Sequence, residues 1–194
     1  MAIAGVKMVT DRSIADVHYA KSLIKKGVKR MIEDGTINEF LSGLKGAYNY
    51  TDINRVESAV HYLDNALVDA DEHIRDNADF LGVAFDSFFA VPYNPKDYGS
   101  IATKRDWTQW DTFSKDDRNR YISNIRHIVK SMLDEPVGFP QMLDRLDYEG
   151  ANLIERTLEK INEMLESFST AKIKLLENTS SAWTYSGELF GGEI

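Results

Sequence analysis

The sequence predicts a mainly α-helical protein: an antiparallel bundle of long, heptad-patterned helices with an irregular insertion and an extended C-terminal tail. Apolar residues recur every three or four positions through several segments of helical length, which is the spacing of an amphipathic helix. Each segment follows residues that commonly cap helices. The stretches at about 83–113 and 179–194 lack this period. We therefore expect a helical domain at 1–178, which contains the insertion at 83–113, and a separate tail at 179–194.

The first helix is predicted to follow Thr10 and Asp11 and to run to about Glu33. A short helical turn is expected around Phe40, between glycine-containing stretches. Lys21 interrupts the apolar stripe of the first helix, which is otherwise formed by Ile14, Val17, Ile24, Val28 and Met31.

The second helix is predicted to begin at Thr51 and Asp52. Its apolar positions alternate three and four residues apart over about three heptads. A helix with this spacing packs against another helix at a shallow angle, as in bundles and coiled coils. The positions are Ile53, Val56, Val60, Leu63, Leu67, Ala70 and Ile74.

The third helix is predicted from Ser114 to just before Pro136, and the fourth from about Asp147 to about Glu177. Both carry apolar residues at helical spacing. In the third these are Tyr121, Ile122, Ile125, Ile128, Val129, Met132 and Leu133, and in the fourth Ala151, Ile154, Leu158, Ile161, Leu165 and Phe168.

The three later helices begin with similar sequences. DINRVESAVHYL, DRNRYISNIRHI and GANLIERTLEKI align without gaps on Asn54, Asn119 and Asn152. One interpretation is an internal repeat. The other is convergence, because the starts of amphipathic helices resemble one another. No period is sustained along the chain, so a solenoid is not expected.

The net charge of −8 and the absence of cysteine narrow the classes of function. An acidic chain lacks the basic footprint of a nucleic-acid-binding protein, so we expect no nucleic-acid partner. Without cysteine there is no disulfide framework and no thiolate metal site. The N-terminus has no secretory pattern, and no apolar run approaches the ~20 residues of a membrane span. We therefore expect synthesis in the cytoplasm and no membrane insertion.

An acidic stretch at 64–79 is the densest candidate for metal binding. Asp69, Glu72, His73 and Asp76 fall near one another at helical spacing, and such groups can ligate a divalent cation. The stretch lacks the glycine-punctuated calcium loop and the HExxH arrangement. A solvated acidic helix end is the favoured interpretation, and whether it binds a cation stays open.

No catalytic, cofactor-binding or metal-binding residue is predicted, and we expect no enzyme activity. No nucleophile motif or glycine-rich phosphate loop is present, and the four histidines lie outside any such pattern. A basic stretch on the first helix could touch phosphate. It is more typical of the exposed face of an amphipathic helix, and its charge is complementary to that of the acidic stretch. Its members are Lys21, Lys25, Lys26, Lys29 and Arg30.

Large apolar residues also occur outside the helices. The insertion combines prolines with aromatic residues that include Trp107 and Trp110, so an irregular packed segment is expected there. In the tail, the alternation around Trp183 suits an extended segment. The tail residues either dock onto the chain's own core or insert into a partner. The candidate partner-binding residues are Trp183, Tyr185, Leu189 and Phe190.

Several blocks resemble proteins encoded in the tail and baseplate modules of phages and prophages of Gram-positive bacteria. These are DRSIADVHYAKSLIKKG, FLSGLKGAYNYTDINRVESAVHYL, TKRDWTQWDTFSKDDRNRYISNIRHIV and LDYEGANLIERTLEKINEML. The ending WTYSGELFGGE resembles C-terminal tails of phage structural proteins. The resemblance covers most of 10–67, 103–165 and 183–193. The stretch at 68–102 has no counterpart, so the aromatic insertion departs from the family pattern.

The resemblance implies a helical virion structural protein of the tail or baseplate that acts by binding other virion proteins. It implies no cofactor and no catalytic residue. Tails and baseplates have rotational symmetry, so a homo-oligomer is plausible by analogy. Three alternatives stay open: binding of a host-surface receptor through the aromatic insertion, a helical adaptor unrelated to virions, and a cytosolic hydrolase or metal enzyme with a pocket of converging carboxylates.

Overall fold

The computed structural model describes residues 2–3, 5–81, 101–133 and 135–167, with only the backbone of residues 2 and 71–81. A two-residue antiparallel hairpin pairs β1 (Ala2–Ile3) with β2 (Val6–Lys7). Six α-helices follow within the described residues: α1 (Ile14–Lys26), α2 (Val28–Glu33), α3 (Ile37–Ser42), α4 (Tyr50–Leu81), α5 (Lys115–Met132) and α6 (148–167). A 3₁₀ turn at Leu143–Arg145 precedes α6. The prediction of a mainly helical protein is confirmed.

The start of α1 lies three residues later than the predicted cap at Thr10 and Asp11. Ser13 is the N-cap, and it exchanges hydrogen bonds with Asp16 in a capping box. The backbone of Arg12 is bound to α6, which holds the chain outside the helix until Ser13. The single helix predicted to reach Glu33 is interrupted at Gly27, which has φ of +81°, a conformation that favours glycine.

The predicted apolar stripe of the first helix is wrong at several positions. Ile14, Ile24 and Val28 are 52%, 59% and 57% exposed. A small separate core instead joins α1, α2 and the segment after α3. It consists of Ala20, Leu23, Met31 and Leu44, with Ile37, Phe40 and Ala47 packed beside them. We call α1–α3 and this core the N-terminal helical unit.

The main core is formed by α4, α5 and α6 with the hairpin and the segment after residue 101. The predicted apolar positions of these helices are buried from Ile53 to Leu67, from Tyr121 to Met132 and from Ala151 to Leu165. Ala70 and Leu133 are half-buried. The side chains of Ile74 and Phe168, and the predicted extension of the fourth helix to Glu177, lie outside the described residues.

The N-terminal parts of the three long helices lie together. Arg120 near the start of α5 contacts Glu57 of α4 at 2.9 Å, and Glu155 near the start of α6 contacts Arg55 of α4 at 2.8 Å. Antiparallel neighbours would instead bring the start of one helix to the end of the next. These contacts place helix start beside helix start, and the predicted antiparallel arrangement is not confirmed.

The connection between α5 and α6 is long enough to return the chain to the common end. The 18 residues of α5 span about 27 Å at about 1.5 Å per residue. The connecting residues 133–147 can reach about 50 Å when extended, at about 3.3 Å per residue. Asp144 lies 2.9 Å from Arg118 in the first turn of α5. The chain has therefore returned along α5 before α6 begins.

No helix in the described ranges combines the length and the apolar character that crossing a lipid bilayer requires.

Candidate partner-binding groove

A buried ionic network joins the N-terminus of the chain to the starts of α4 and α6. The Arg12 guanidinium lies 2.7 Å from Asp52 and 2.6 Å from Glu155. Arg55 binds both carboxylates as well, with two hydrogen bonds of 2.8 and 2.9 Å to Glu155. Two cations thus face two anions, so the buried charges balance, as buried ion pairs require.

The carboxylates of the network favour the charged form of Arg12. Burial acts to lower the pKa of Arg12, but Glu155 and then Asp52 outweigh it, and the pKa of Arg12 is raised. The ring of Tyr48 lies 5.5 Å from the Arg12 guanidinium, and burial raises the pKa of the Tyr48 phenol. Tyr48 also shares a hydrogen bond with Tyr121 of α5. The network joins α4 to α6, and the hydrogen bond between Tyr48 and Tyr121 ties α5 to it.

Two asparagines clamp extended backbone in the same way. Asn152 in α6 donates to the carbonyl of Arg12 at 2.8 Å and accepts from its N–H at 3.0 Å. Asn54 in α4 donates to the carbonyl of Trp107 at 2.8 Å and accepts from its N–H at 2.9 Å. We call these paired contacts the asparagine clips.

A glutamate lies three residues after each clip asparagine, and both glutamates accept a hydrogen bond from the same extended backbone segment that the asparagine binds. Glu155 accepts the backbone N–H of Val9 at 2.6 Å, and Glu57 accepts the backbone N–H of Lys104. In each case the donor lies three residues before the clipped residue. The third aligned asparagine, Asn119, is exposed and is followed at this spacing by Ile122. The shared geometry favours the repeat interpretation for α4 and α6 and does not extend to α5.

An apolar groove of about 350 Å³ lies between the N-terminal helical unit, the start of α4 and the segment at 107–113. Ile24 and Leu41 on its rim are 59% and 47% exposed. Asn49, Thr108, Gln109 and Asp111 are its polar members. The apolar lining consists of Ile24, Phe40, Leu41, Leu44, Ala47, Tyr50, Ile53, Trp107 and Phe113.

The two tryptophans of this segment have opposite environments. Trp107 is 5% exposed, its ring meets that of Phe113 edge-on at 4.8 Å, and the Lys104 ammonium lies 3.8 Å from its ring centre. Its indole N–H is buried and has no acceptor in the described part of the chain. Trp110 is 85% exposed. Trp107 is therefore part of the core and the groove wall, while Trp110 is available at the surface.

Gly46 permits a close approach between the segment before α4 and the start of α1. A Cβ atom at Gly46 would lie 2.0 Å from the carbonyl oxygen of Asp16, so only glycine permits this approach to the start of α1. Lys45 binds Asp11 at 2.9 Å beside it. These contacts fix the N-terminal helical unit against the chain that leads into α4, and so fix the width of the groove.

The four predicted partner-binding residues, Trp183, Tyr185, Leu189 and Phe190, lie outside the described residues. The same holds for the side chains of Glu72, His73 and Asp76 in the acidic stretch, and for the insertion up to residue 100. Within the described ranges, no group of three or more potential ligands is placed to hold a metal ion. The predicted basic residues Lys21, Lys25, Lys29 and Arg30 are exposed, and Lys26 binds Asp34.

Sequence reasoning missed the ionic network and the groove. Arg12, Asp52 and Glu155 are charged residues in helical or cap positions, which usually face solvent. The only available sign was the alignment of Asn54 with Asn152, which placed Glu57 and Glu155 at matching positions. No family model, curated protein sequence or solved structure matches the chain.

Proposed function

We propose that the chain is a structural protein of a phage virion, a tail or baseplate component that acts by binding other virion proteins. The observation that supports this most is the groove, with Ile24 and Leu41 exposed on its rim. A cleft lined mainly by apolar side chains, with a few polar groups among them, is the usual form of a binding site. The resemblance of the sequence blocks to tail and baseplate proteins supplies the class of partner.

The buried network is suited to such a role. Assembly requires that a surface keep its shape before its partner arrives, because a preformed surface loses less conformational entropy on binding. Arg12, Asp52 and Glu155 join the N-terminus to α4 and α6, and Gly46 fixes the N-terminal helical unit. Together they favour a groove that is formed in the free protein.

Mass spectrometry of purified particles tests the proposal directly. We expect the chain in particles from the host that carries the gene, at a constant ratio to other tail proteins. Absence from these particles would contradict the virion role. Absence combined with groove-dependent binding to a cytoplasmic protein would favour the helical adaptor.

Substitutions in the groove test its part in assembly. Ile24→Glu combined with Leu41→Glu should reduce incorporation into particles about tenfold, because each charge would be desolvated on docking. Val137→Glu is the matched control, since Val137 is fully exposed outside the groove. Equal incorporation of the groove variant and the control would show that the groove is not the assembly surface.

The C-terminal tail is the second proposed attachment element. Deletion of residues 179–194 should leave helix content unchanged in circular dichroism but weaken incorporation into particles. Normal assembly of the truncated protein would remove the tail from the proposal. Light scattering of the full-length protein tests the proposed homo-oligomer, because it gives the mass in solution.

Host-surface binding is a second candidate function, favoured by Trp110. Its indole is 85% exposed, and exposed aromatic rings stack on sugars. The burial of Trp107 leaves Trp110 to carry this activity in the described part of the insertion. Binding to purified host cell-wall glycan that Trp110→Ala abolishes would support it, and no binding by the intact protein would reject it.

A further inference from the structure

The groove is lined mainly by apolar side chains, with Asp111 as its one charged lining residue, and lysines neighbour one of its lining residues in α1. Ile24 lines the groove from α1, and exposed Lys21 and Lys25 lie three positions before it and one after it. Residues 14–33 carry five Lys or Arg against one Asp and one Glu, within a chain of net charge −8. The α1–α2 stretch is therefore a local positive region that carries the groove residue Ile24.

The tail at 179–194 has the complementary composition. It contains Trp183, Tyr185, Leu189 and Phe190, and its charged side chains are Glu188 and Glu193, with no Lys or Arg. The groove volume of about 350 Å³ is at the low end of the roughly 300–1,000 Å³ of ligand pockets. One or two of the tail's large side chains are a suitable filling for it, with an acidic residue beside the lysines.

The chain is long enough for its own tail to reach the groove. The groove includes Asn49, Tyr50 and Ile53 at the start of α4, which is the end of the fold where α6 also starts. Residue 167 lies about 28 Å farther along α6, at about 1.5 Å per residue. If α6 continues to the predicted end at Glu177, that residue lies about 44 Å from the start of the helix. Residues 178–190 can extend to about 43 Å, at about 3.3 Å per residue, so the last large apolar residues of the tail can reach back. The return distance is therefore within reach.

We infer that Leu189 and Phe190 of the chain's own C-terminal tail dock in the groove before assembly, with Glu188 beside Lys21 or Lys25. A tethered segment acts at an effective concentration in the millimolar range, so a weak contact is enough to fill the groove. The inference deepens the proposed function, since it rests on the groove being a binding surface and names its first occupant. A virion partner then displaces the tail when it binds.

Disulfide trapping in the full-length chain tests this inference. The natural chain has no cysteine, so Leu41→Cys and Leu189→Cys introduce a single possible pair. Mild oxidation should give a crosslink within one molecule, at a yield independent of protein concentration. The matched control replaces Val137 and Leu189 by cysteine and should give at least tenfold less.

Three results would overturn the inference: no crosslink, equal crosslinking at Val137, and a crosslink between two molecules. The last would assign the groove to the tail of a second copy. These measurements use purified protein alone, so they can fail while the chain is still found in particles. They can also succeed while it is absent from them.

A synthetic peptide of residues 179–194 gives a second readout. Labelled peptide should bind the protein that lacks these residues at least tenfold more tightly than the full-length protein, whose own tail competes. Lys21→Glu with Lys25→Glu should weaken binding several-fold at low salt and less at high salt. Equal binding to full-length and truncated protein would show an open groove and contradict the inference.

Discussion

The side-chain amide of Asn152 forms hydrogen bonds with both the N–H and the carbonyl of Arg12, across 140 positions of sequence. The guanidinium of the same residue, Arg12, forms ion pairs with Asp52 and Glu155. A single residue near the N-terminus is thus held by its backbone and by its side chain. This double attachment explains why the chain before α1 is fixed although it forms no helix.

Loss of the α6 clip should destabilise the protein strongly. Asn152→Ala removes two hydrogen bonds and leaves a buried N–H and carbonyl of Arg12 without partners, at about 1–3 kcal/mol for each unsatisfied group. We expect a loss of about 2–4 kcal/mol in the free energy of unfolding, measured by urea denaturation. Asn119→Ala, at the aligned but exposed position, should stay within about 0.5 kcal/mol. Similar losses in the two variants would contradict the assigned role of the clip.

Glu155→Gln should be more costly than a typical surface change. The substitution leaves two buried guanidinium groups facing only Asp52, and an unpaired buried charge costs about 3–5 kcal/mol. Thermal and urea unfolding should both report the loss. Glu163→Gln, on the exposed side of the same helix, is the control and should change stability by less than about 0.5 kcal/mol. A neutral effect of Glu155→Gln would mean that the network is not needed for stability.

The two tryptophans of the 107–113 segment should respond differently to substitution. Trp107→Ala removes a buried ring and should cost about 3–5 kcal/mol. Trp107→Phe should cost clearly less, because the ring is kept and the lost indole N–H has no acceptor among the described residues. Trp110→Phe should have almost no effect on the unfolding midpoint. If Trp107→Phe destabilises as much as Trp107→Ala, the indole N–H has a partner after all.

The cap of α5 should make part of the stability dependent on pH. The hydrogen bond from Ser114 lowers the pKa of Asp117 below its ordinary value of 3.8. A carboxylate with a lowered pKa in the folded state stabilises the protein above its unfolded pKa, and this contribution is lost as the pH falls through the folded pKa. The stability difference between the natural protein and Asp117→Asn should therefore be full above pH ~4 and shrink below it. A difference that stays constant down to pH ~2 would contradict this cap, and urea titrations at several pH values would show it.

Gly46 should tolerate no side chain. A Cβ atom at 2.0 Å from the Asp16 carbonyl oxygen forces the start of α1 away from the segment before α4. Gly46→Ala should therefore lower the unfolding midpoint and widen the groove, which a weaker binding of the tail peptide would report. Ser42→Ala, an exposed change nearby, should leave both measurements unchanged. Full stability of Gly46→Ala would mean that α1 can shift freely.

Periodicity was sufficient to place the long helices and their buried positions. The three–four alternation from Ile53 to Leu67 is a property of one helix, so it can be recognised without knowing which helices pack beside it. The relative direction of two helices depends on which of their ends meet, and no pattern within one helix records this. Nothing in the sequence indicates that Glu57 pairs with Arg120. The antiparallel prediction is unconfirmed for this reason.

The predicted stripe of α1 failed for a related reason. An apolar residue such as Ile24 fits a helical stripe equally well whether it faces a core or a groove. The burial of Arg12 and Glu155 was also beyond prediction, because each is tolerated inside only through partners far away in sequence. The alignment showed that Asn54 and Asn152 occupy equivalent positions. It could not show which backbone segment each of them binds.

The asparagine clip on Arg12 also constrains how the protein is made. Residues 9–12 are synthesised well before their partners at 152–155, which lie 140 or more positions later in the chain. Local helices can form within microseconds, but contacts across such long sequence separations carry a high loop-closure cost and slow the completion of folding. The N-terminal segment must therefore wait, with Arg12 unpaired and solvated, until α6 is available. Nascent chains arrested before residue 148 should accordingly lack the protease resistance of the finished protein at their N-terminus.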